Sequence, residues 1–331
     1  MTPAVIESVK DLLLRRMRSG STPGRRDDGR HLALVIEGGG MRGVVSGGMV
    51  SGLEDFALAD CFDTIHGSSA GACAGAYFLA GQAALGTSIY FEDINNGKFI
   101  DLFGWLKGRP VMSTSFLIDY VMRRVKVMDV DRIVASLDRL HVVATDVATG
   151  APYRVSRFKD ADDFFLLLKA SITIPLIAGF AVAAHDRKLV DGGMTQQIAL
   201  DSARAVGATH ILVLMTHCSD QLTRPSSNKP IDLTRWAIRA VYGETLADRY
   251  RARNDGINKT METILGRRAG DSLIDFIVRP PQASYVSRLC KDAGLLRTAA
   301  GEARAAVHDY IGADAASGGR VSRTPSDVAA S

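Results

Sequence analysis

Two units with the same hydrophobic pattern follow one another in the first part of the chain. Each has an apolar strand, a glycine-rich turn and a helix whose apolar residues recur at helical spacing. The first unit covers residues 31–37, 38–40 and 41–58, and the second covers 62–66, 67–71 and an alanine-rich helix to about residue 79. Two consecutive units of this kind predict a parallel sheet.

The rest of the chain continues to alternate between strand and helix patterns. Apolar segments predict six further strands, at residues 140–145, 153–156, 180–184, 188–190, 210–216 and 273–278. Helical periodicity marks residues 198–206 and 233–265, and His185-Asp186-Arg187 has the composition of a hairpin turn. The alternation predicts an α/β fold: a three-layer α/β/α domain with a mostly parallel central sheet.

Composition indicates an ordinary globular protein. The chain has 331 residues, of which 47% are hydrophobic and 23% are charged. Its longest weakly polar stretch, residues 173–184, contains Pro175 and Gly179 and falls short of the roughly 20 apolar residues of a membrane-spanning helix. Glu7, Lys10 and Asp11 interrupt the place where a secretory signal would have its apolar core. We therefore expect a cytoplasmic protein.

The positive charge is concentrated at the N-terminus. Net charge is +4, and residues 1–30 hold seven Lys/Arg against four Asp/Glu. Residues 5–17 predict an amphipathic helix with a basic end, which either contacts anionic lipid at a membrane surface or caps the fold with its cations in solvent. Because the excess is local and small, nothing here indicates a nucleic-acid partner. The oligomeric state is left open.

The four cysteines are spread along the chain without any CxxC pair. They are Cys61, Cys73, Cys218 and Cys290. This spacing favours neither a zinc site nor a disulfide framework. We predict buried free thiols and no metal or other cofactor.

The second glycine turn has the features that a serine nucleophile needs. A serine hydroxyl must be exposed on a strained turn, beside a base and facing donors for the developing oxyanion. In Gly67-Ser68-Ser69-Ala70-Gly71 the two glycines leave room where strand turns into helix. Ser69 is the candidate nucleophile, and the backbone N–H of Ala70 is a candidate oxyanion donor.

The first glycine turn permits two interpretations. Its consecutive backbone N–H groups could converge on an anion at a helix N-terminus, in the run Gly38-Gly39-Gly40-Met41-Arg42-Gly43. Gly38, Gly40 and Gly43 also match the G-x-G-x-x-G pattern of dinucleotide-binding proteins. That fold needs an acid at the end of the second strand, whereas here the strand ends in His66 and Gly67. The dinucleotide interpretation is therefore the weaker one.

A third motif supplies an acid. Asp191 leaves a short predicted strand into Gly192 and Gly193, which permit close backbone approach. The three motifs, GGGxRG, GxSxG and DGG in that order, resemble those of the patatin-like phospholipase family over roughly residues 32–200. Residues 144–150, 170–171 and 174–175 are similar to intervening stretches of that family.

The resemblance implies a lipid acyl hydrolase, a phospholipase or esterase, that uses a Ser-Asp dyad without histidine. Ser69 attacks an ester carbonyl, Asp191 takes its proton, and an acyl-enzyme is then hydrolysed by water. The oxyanion hole is implied at Gly38, Gly39 and Gly40 together with Ala70. The supporting motif residues are Arg42, Gly43, Gly67, Gly71, Gly192 and Gly193. One departure concerns the pocket wall, because residues 194–199 lack the Asn and Pro residues usual in the family.

Alternatives remain for several residues. His217 is the best placed of the histidines for a conventional triad, and Asp146 is the rival acid. Arg42 either fixes the glycine loop or meets an anionic headgroup. Residues 164–168 and 172–177 either line an acyl channel or pack in the core. At the level of function, acyl transfer and a catalytically silent lipid-binding or scaffolding protein are the competing hypotheses.

The predicted organisation has three parts. Residues 1–30 form the basic N-terminal helix and a Gly/Pro/Ser-rich linker, and residues 31–311 form the patatin-like catalytic domain, with a C-terminal helical extension from about residue 230. Residues 312–331 have almost nothing to bury, which predicts a disordered tail. Headgroup, acyl length and positional specificity are not contained in the motifs.

Overall fold

A computed structural model describes residues 7–222 and 232–312 of the chain, and its centre is one mixed β-sheet. The strands follow the spatial order β5-β6-β3-β2-β1-β7-β9-β8, with β4 also paired to β3. Their bounds are β1 Leu32–Ile36, β2 Thr64–Ser68, β3 Leu140–Asp146, β4 Pro152–Val155, β5 Val182–Ala184, β6 Arg187–Asp191, β7 His210–Cys218, β8 Arg268–Ala269 and β9 Ser272–Arg279. The central strands β3, β2, β1, β7 and β9 are parallel.

Helices cover both faces of this sheet. Their bounds are α1 Val9–Ser19, α2 Gly43–Asp55, α3 Ala70–Leu79, α4 Ala83–Glu92, α5 Val130–Ala135, α6 Ala161–Ile172, α7 Leu200–Arg204, α8 Asp232–Tyr242, α9 Glu244–Leu265 and α10 Ala293–Ile311, with a π-helical segment at Phe116–Val125. The predicted α/β class with a mostly parallel central sheet is confirmed. Every residue of β1 and β2 is buried, as expected for parallel strands covered on both faces.

Several element boundaries differ from the sequence-based prediction. The helix predicted at 41–58 is a short 3-10 turn, Gly40–Arg42, followed by α2. The single helix predicted at 233–265 is two helices, because Gly243 has a φ of 88° that breaks the helical path. The hairpin turn between β5 and β6 is confirmed, since His185 and Asp186 both have positive φ.

The register of β1 and β2 positions the glycine turns. The two strands are parallel neighbours, with Ile36 opposite Gly67. Their carboxyl ends therefore lie at the same edge of the sheet, and the two turns that follow them meet there. Strand β6 is antiparallel to β3 and pairs Asp191 with Ala144. Because Val143, the residue before Ala144, pairs with Ser68, Asp191 lies close to the turn that follows β2.

The C-terminal part of the chain packs into the same fold. Strand β9 extends the sheet beside β7, and α10 packs along α2. Two glycines of α2 allow close approach: a Cβ at Gly48 would lie 2.3 Å from the carbonyl oxygen of Ala300, and one at Gly52 would lie 2.8 Å from Val307 Cβ. The C-terminal part of the chain therefore contributes helices and also β9, which corresponds to the strand predicted at residues 273–278.

The N-terminal segment is held against the domain by a buried arginine. Arg16 is fully buried and pairs with Asp28 and Asp63, each at 2.8 Å. Val9, Leu12 and Leu13 are buried in the hydrophobic core, so the apolar face of α1 contacts protein. The predicted membrane contact through this basic segment stays a prediction.

Two other sequence-based predictions concern sequence ends and thiols. Residues 5–6 of the predicted first helix and residues 313–331 of the predicted tail lie outside the described residues. Cys61, Cys73 and Cys218 are buried free thiols as predicted, and Cys290 is half-buried. No helix in residues 7–222 or 232–312 is long and apolar enough to cross a membrane.

Candidate active site

Ser69 lies on a strained turn between β2 and α3. Its φ of 54° and ψ of −133° are unusual for a residue with a side chain, and such strain is typical of functional positions. The flanking glycines are sterically required. A Cβ at Gly67 would lie 2.5 Å from the Ala72 nitrogen, and one at Gly71 would lie 2.3 Å from the carbonyl oxygen of Ile36.

The backbone of this turn is fixed by a buried serine. The N–H of Ser69 donates to Ser171 Oγ at 3.0 Å, and Ser171 Oγ donates in turn to the carbonyl oxygen of Val143 at 2.6 Å. Ser171 is fully buried near the end of α6. It therefore connects the nucleophile turn to β3, a positioning role that no local motif indicated.

Asp191 reaches the site from the end of β6. Its backbone N–H donates to the carbonyl oxygen of Thr173, and its Oδ1 accepts from the N–H of Gly193 at 2.6 Å. Gly192 must be glycine because a Cβ there would lie 2.1 Å from the carbonyl oxygen of Val143. The other carboxyl oxygen, Oδ2, is buried and has no hydrogen-bond partner among the described residues.

The environment of Asp191 makes its carboxylate more basic. Burial raises the pKa of Asp191 to about 6, although the Ser69 hydroxyl, the Gly193 N–H and the charges of Arg253 and Arg288 each lower it. Ser69 Oγ is near enough to lower that pKa, yet it makes no hydrogen bond within 3.5 Å to the carboxylate. Such contacts commonly tighten only when substrate is bound.

The backbone N–H groups of the glycine loop fall into two sets. Some donate hydrogen bonds within the protein, and others have no backbone acceptor among the described residues. The N–H of Gly38 donates to the carbonyl oxygen of Gln197, and that of Met41 donates to the carbonyl oxygen of Arg288, both at 3.1 Å. The N–H of Gly38, a predicted oxyanion donor, is therefore already hydrogen-bonded within the protein. Within the described part of the chain, the N–H groups of Gly39 and Gly40 have no backbone acceptor. The N–H of Ala70 belongs to the first turn of α3, where no intrahelical acceptor exists.

A buried carboxylate, Glu37, lies directly before this loop. It accepts from the N–H of Thr216 at 2.6 Å, Gln197 Nε2 at 2.9 Å, His217 Nδ1 at 3.2 Å and Arg42 Nη2 at 3.5 Å. Burial alone would raise the pKa of Glu37, but His217, Arg42 and the Thr216 N–H together hold it well below its ordinary value. His217, the best-placed rival base, is thus bonded to Glu37, and Arg42 contacts the same carboxylate.

The other candidate bases have partners away from Ser69. His66, three residues before Ser69 in the chain, contacts Thr64 and Ser202 and stacks on His141 with ring centroids 4.3 Å apart, so it packs within the fold. Asp146 accepts from the N–H groups of residues 148 and 149 and pairs with Arg187. Two further histidines, which follow the Asp191 motif in the chain, also have other partners: His210 contacts Thr209 and Glu7, and His308 contacts Asp55.

Two cavities meet at Ser69. One is narrow and apolar, with a volume of ≈50 Å³, and runs from Ser69 past Cys73 and Tyr77 towards Phe99. The other is wider, ≈470 Å³, and is lined by Asp191, Arg253 and Arg288 among others. The wall residues that both cavities share are Gly40, Ser69, Met112 and Ile174. A molecule bound across the junction would therefore meet apolar groups in both cavities and charged side chains in the wide one.

The predicted acyl-channel segments divide between lining and core. Ile172 and Ile174 line the narrow cavity. Residues 164–168 line neither cavity, and Phe164, Phe165, Leu167 and Leu168 are buried in the hydrophobic core. The core-packing interpretation is therefore the one the structure supports for that run.

The dinucleotide interpretation of the glycine loop meets a steric obstacle. The backbone of Arg288 lies over the loop, where a Cβ at Gly40 would be 2.9 Å from its carbonyl oxygen. That oxygen also accepts the Met41 N–H at the start of the helical turn, where a pyrophosphate would bind. In the part of the chain that the structure describes, no cluster of three or more His, Cys, Asp or Glu residues could hold a metal ion.

Comparisons with known proteins identify the family of the chain. The family model of the patatin-like phospholipases matches residues 34–204. The chain is also 25% identical over 237 residues to the uncharacterized protein YjjU of Escherichia coli (strain K12), a match that covers 71% of this chain. The chain spans 62% of the length of that curated relative.

A solved structure, that of VipD from Legionella pneumophila, is similar over 85% of this chain and 67% of that chain, at 12% identity and a TM-score of 0.38. The family model carries the assignment, because its match includes the glycine loop, the Ser69 turn and the Asp191 turn. Since that match extends over more than half of the 331 residues, the chain belongs to the patatin-like phospholipase family.

Proposed function

We propose that this protein is a lipid acyl hydrolase that cleaves carboxylic esters through a Ser69–Asp191 dyad and an acyl-enzyme. The observation that carries the proposal is the state of Asp191. Its carboxylate is buried, has one unpartnered oxygen and shares a cavity with a serine on a strained turn. An acceptor without a donor in a buried site is costly unless a ligand or a reacting group supplies the donor.

In the proposed reaction Ser69 Oγ attacks the ester carbonyl while its proton moves to Asp191 Oδ2. The proton then passes to the leaving alcohol, the carbon–oxygen bond to the alcohol breaks, and the acyl group stays on Ser69. Water then attacks the acyl-enzyme and gives a proton to Asp191. Asp191 passes this proton to Ser69 Oγ as the carbon–oxygen bond to Ser69 breaks, which releases the carboxylic acid and restores both residues. With its pKa raised to about 6, Asp191 is mostly ionised at neutral pH and is a stronger base than an exposed aspartate.

The oxyanion formed in both steps needs backbone donors. We assign this role to the N–H groups of Gly39, Gly40 and Ala70, since that of Gly38 is engaged by Gln197. Preorganised donors of this kind usually provide the largest part of catalysis in acyl transfer. A weak carboxylate base favours alcohols over amines as leaving groups, which fits esters rather than amides.

The test compares purified variants on p-nitrophenyl esters of graded chain length and on mixed phospholipid vesicles, with mass spectrometry after a fluorophosphonate probe. Ser69→Ala should lose labelling and activity, and Asp191→Asn should lose activity by at least about 10³-fold. Asp146→Asn is the matched control, because it neutralises another nearly buried aspartate that already has partners.

His217→Gln tests the rival base while keeping a hydrogen-bond donor beside Glu37. Retained activity in this variant and in Asp146→Asn would support the dyad. If His217→Gln lost activity while Asp191→Asn kept the wild-type activity, the dyad would be rejected and His217 would be the base. A wild-type protein that neither labels nor hydrolyses any ester would leave the catalytically silent lipid-binding protein as the better hypothesis.

A further inference from the structure

Part of the wall of the wide cavity is formed by residues beyond the segment that matches the family model. Arg253 lies on α9 and Arg288 lies between β9 and α10, so both follow residue 204, where the family match ends. Both side chains line the cavity that contains Ser69 and Asp191. The positive charge at the mouth of the site is therefore supplied by residues outside the shared motifs.

Arg288 is held at this position by two contacts. Its Nη2 donates to Gln197 Oε1 at 3.1 Å, and its carbonyl oxygen accepts from Met41. Burial of the guanidinium, together with the charges of Arg42 and Arg253, lowers the pKa of Arg288 to about 10, so the side chain stays protonated at neutral pH. The residue as a whole is exposed, and it lines the wide cavity.

Arg253 has fewer contacts. Its guanidinium carbon lies 5.5 Å from the centre of the Tyr250 ring, and its Nε is buried with no hydrogen-bond partner among the described residues. Across residues 7–222 and 232–312, no carboxylate lies within 4.0 Å of either Arg253 or Arg288. Two cations thus face one cavity whose acidic lining residue is Asp191, and both are close enough to lower the pKa of Asp191. Glu37, which is bonded to the same Gln197 side chain as Arg288, also attracts Arg288 electrostatically.

We propose that Arg253 and Arg288 form a binding site for the phosphate of a glycerophospholipid whose acyl ester lies at Ser69. The proposal rests on the hydrolase function proposed above and adds two residues, both beyond the family match, that select for a phosphate-bearing substrate. Guanidinium groups bind phosphate oxygens through paired, charge-assisted hydrogen bonds, and arginines without a carboxylate in direct contact have donors free for such a ligand. The narrow apolar cavity would take the acyl chain while the arginines hold the headgroup, with the ester at their junction.

Headgroup recognition is measured as a ratio of two rates. Phosphatidylglycerol and diacylglycerol with the same acyl chains are presented in micelles of one neutral detergent, so that the two surfaces differ only in the headgroup of the substrate. We expect Arg253→Ala and Arg288→Ala each to lower the ratio of kcat/KM for phosphatidylglycerol over diacylglycerol by about tenfold, mainly through KM. Arg253→Lys should recover part of the loss, because it restores the charge without the paired donors.

Arg251→Ala is the matched control. It removes one positive charge from an exposed position two residues away on α9, outside the cavity lining. An equal fall in this variant would mean that general attraction to an anionic surface, and not the cavity site, sets the preference. Equal losses on both lipids in Arg253→Ala and Arg288→Ala would mean that the arginines support the dyad or the loop, and would overturn the proposal.

A free anion is the other source of the same chemistry. Inorganic phosphate should inhibit hydrolysis of a p-nitrophenyl ester by the wild type, and should inhibit Arg253→Ala and Arg288→Ala several-fold less. Inhibition by phosphate with an unchanged lipid ratio would assign the site to free anions and reject the headgroup assignment. Should the wild type hydrolyse no ester, calorimetric titration with phosphate separates the two failures, since binding tests the site without any turnover.

Discussion

Glu37 and Asp191 are two buried carboxylates beside the same glycine loop, and they behave in opposite ways. Glu37 is fully buried and accepts four hydrogen bonds, and its pKa is held well below the ordinary value. Asp191 is also buried, but it accepts one short hydrogen bond from Gly193 and its pKa is raised to about 6. Burial penalises both charges, so the number of donors decides the direction.

The difference separates a structural carboxylate from a reactive one. Glu37 has no acceptor capacity left for a substrate proton, and it joins β1, β7 and the 194–199 segment beneath the oxyanion loop. Asp191 lines the wide cavity and keeps one oxygen without a hydrogen-bond partner among the described residues. A base needs this second arrangement, because a carboxylate saturated with donors is too weak to accept the serine proton.

The largest expected effect is on stability, from Glu37→Ala. Removing the carboxylate leaves the Thr216 N–H, Gln197 and His217 without their buried acceptor and leaves Arg42 less compensated. Breaking a buried charge cluster by deleting one partner costs roughly 3–5 kcal/mol. Urea unfolding at neutral pH checks this value, with Glu37→Gln as the isosteric control. A loss below about 1 kcal/mol would contradict the structural role of Glu37.

Asp191→Asn should change the free energy of unfolding in the opposite direction and make the protein more stable. Because the pKa of Asp191 is about 6 when folded against 3.8 as the ordinary value, the folded state binds this proton more tightly, and stability falls as pH rises from about 4 to 6. The asparagine variant escapes this loss, so at pH 8 it should be more stable than wild type by up to about 3 kcal/mol.

Unfolding curves at pH 4 and pH 8 measure this gain. The advantage of Asp191→Asn should be present at pH 8 and almost absent at pH 4, where the wild-type carboxyl is protonated. The pKa of Asp146 is instead lowered, because Arg187 and two backbone N–H groups outweigh its burial. The Asp146→Asn variant should therefore be less stable than wild type at pH 8. If both variants changed in the same direction, the contrast between compensated and uncompensated carboxylates would be wrong.

The next effect concerns rate. The base must be ionised to accept the serine proton, so kcat/KM on a neutral p-nitrophenyl ester should rise about tenfold per pH unit up to about 6 and then level off. Glu37→Gln should keep the same apparent pKa, because Glu37 does not titrate in this range. A profile whose inflection disappears in His217→Gln would assign the titration to histidine instead.

The contrast also explains how far the sequence predicts the site. Ser69, Asp191 and their glycines were predictable because each depends on a turn of a few residues that must follow a strand. Glu37 was not, since its donors Gln197 and Thr216 are 160 and 179 residues away along the chain. Arg253 and Arg288 were missed for the same reason: helical periodicity predicts that α9 exists but does not say which of its arginines enters a cavity.

The smallest effect is expected for Arg42→Lys, and it decides between the two roles considered for this residue. Arg42 contacts Glu37 at 3.5 Å, which is long for a hydrogen bond, and Glu37 keeps three closer donors without it. A lysine retains the charge, so the loss of unfolding free energy should be about 1 kcal/mol or less. The ratio of kcat/KM for phosphatidylglycerol over diacylglycerol should stay within about twofold of wild type, because Arg42 braces the loop and Arg253 and Arg288 meet the phosphate. A tenfold fall in that ratio would instead place the headgroup at Arg42 and return headgroup binding to the shared motif.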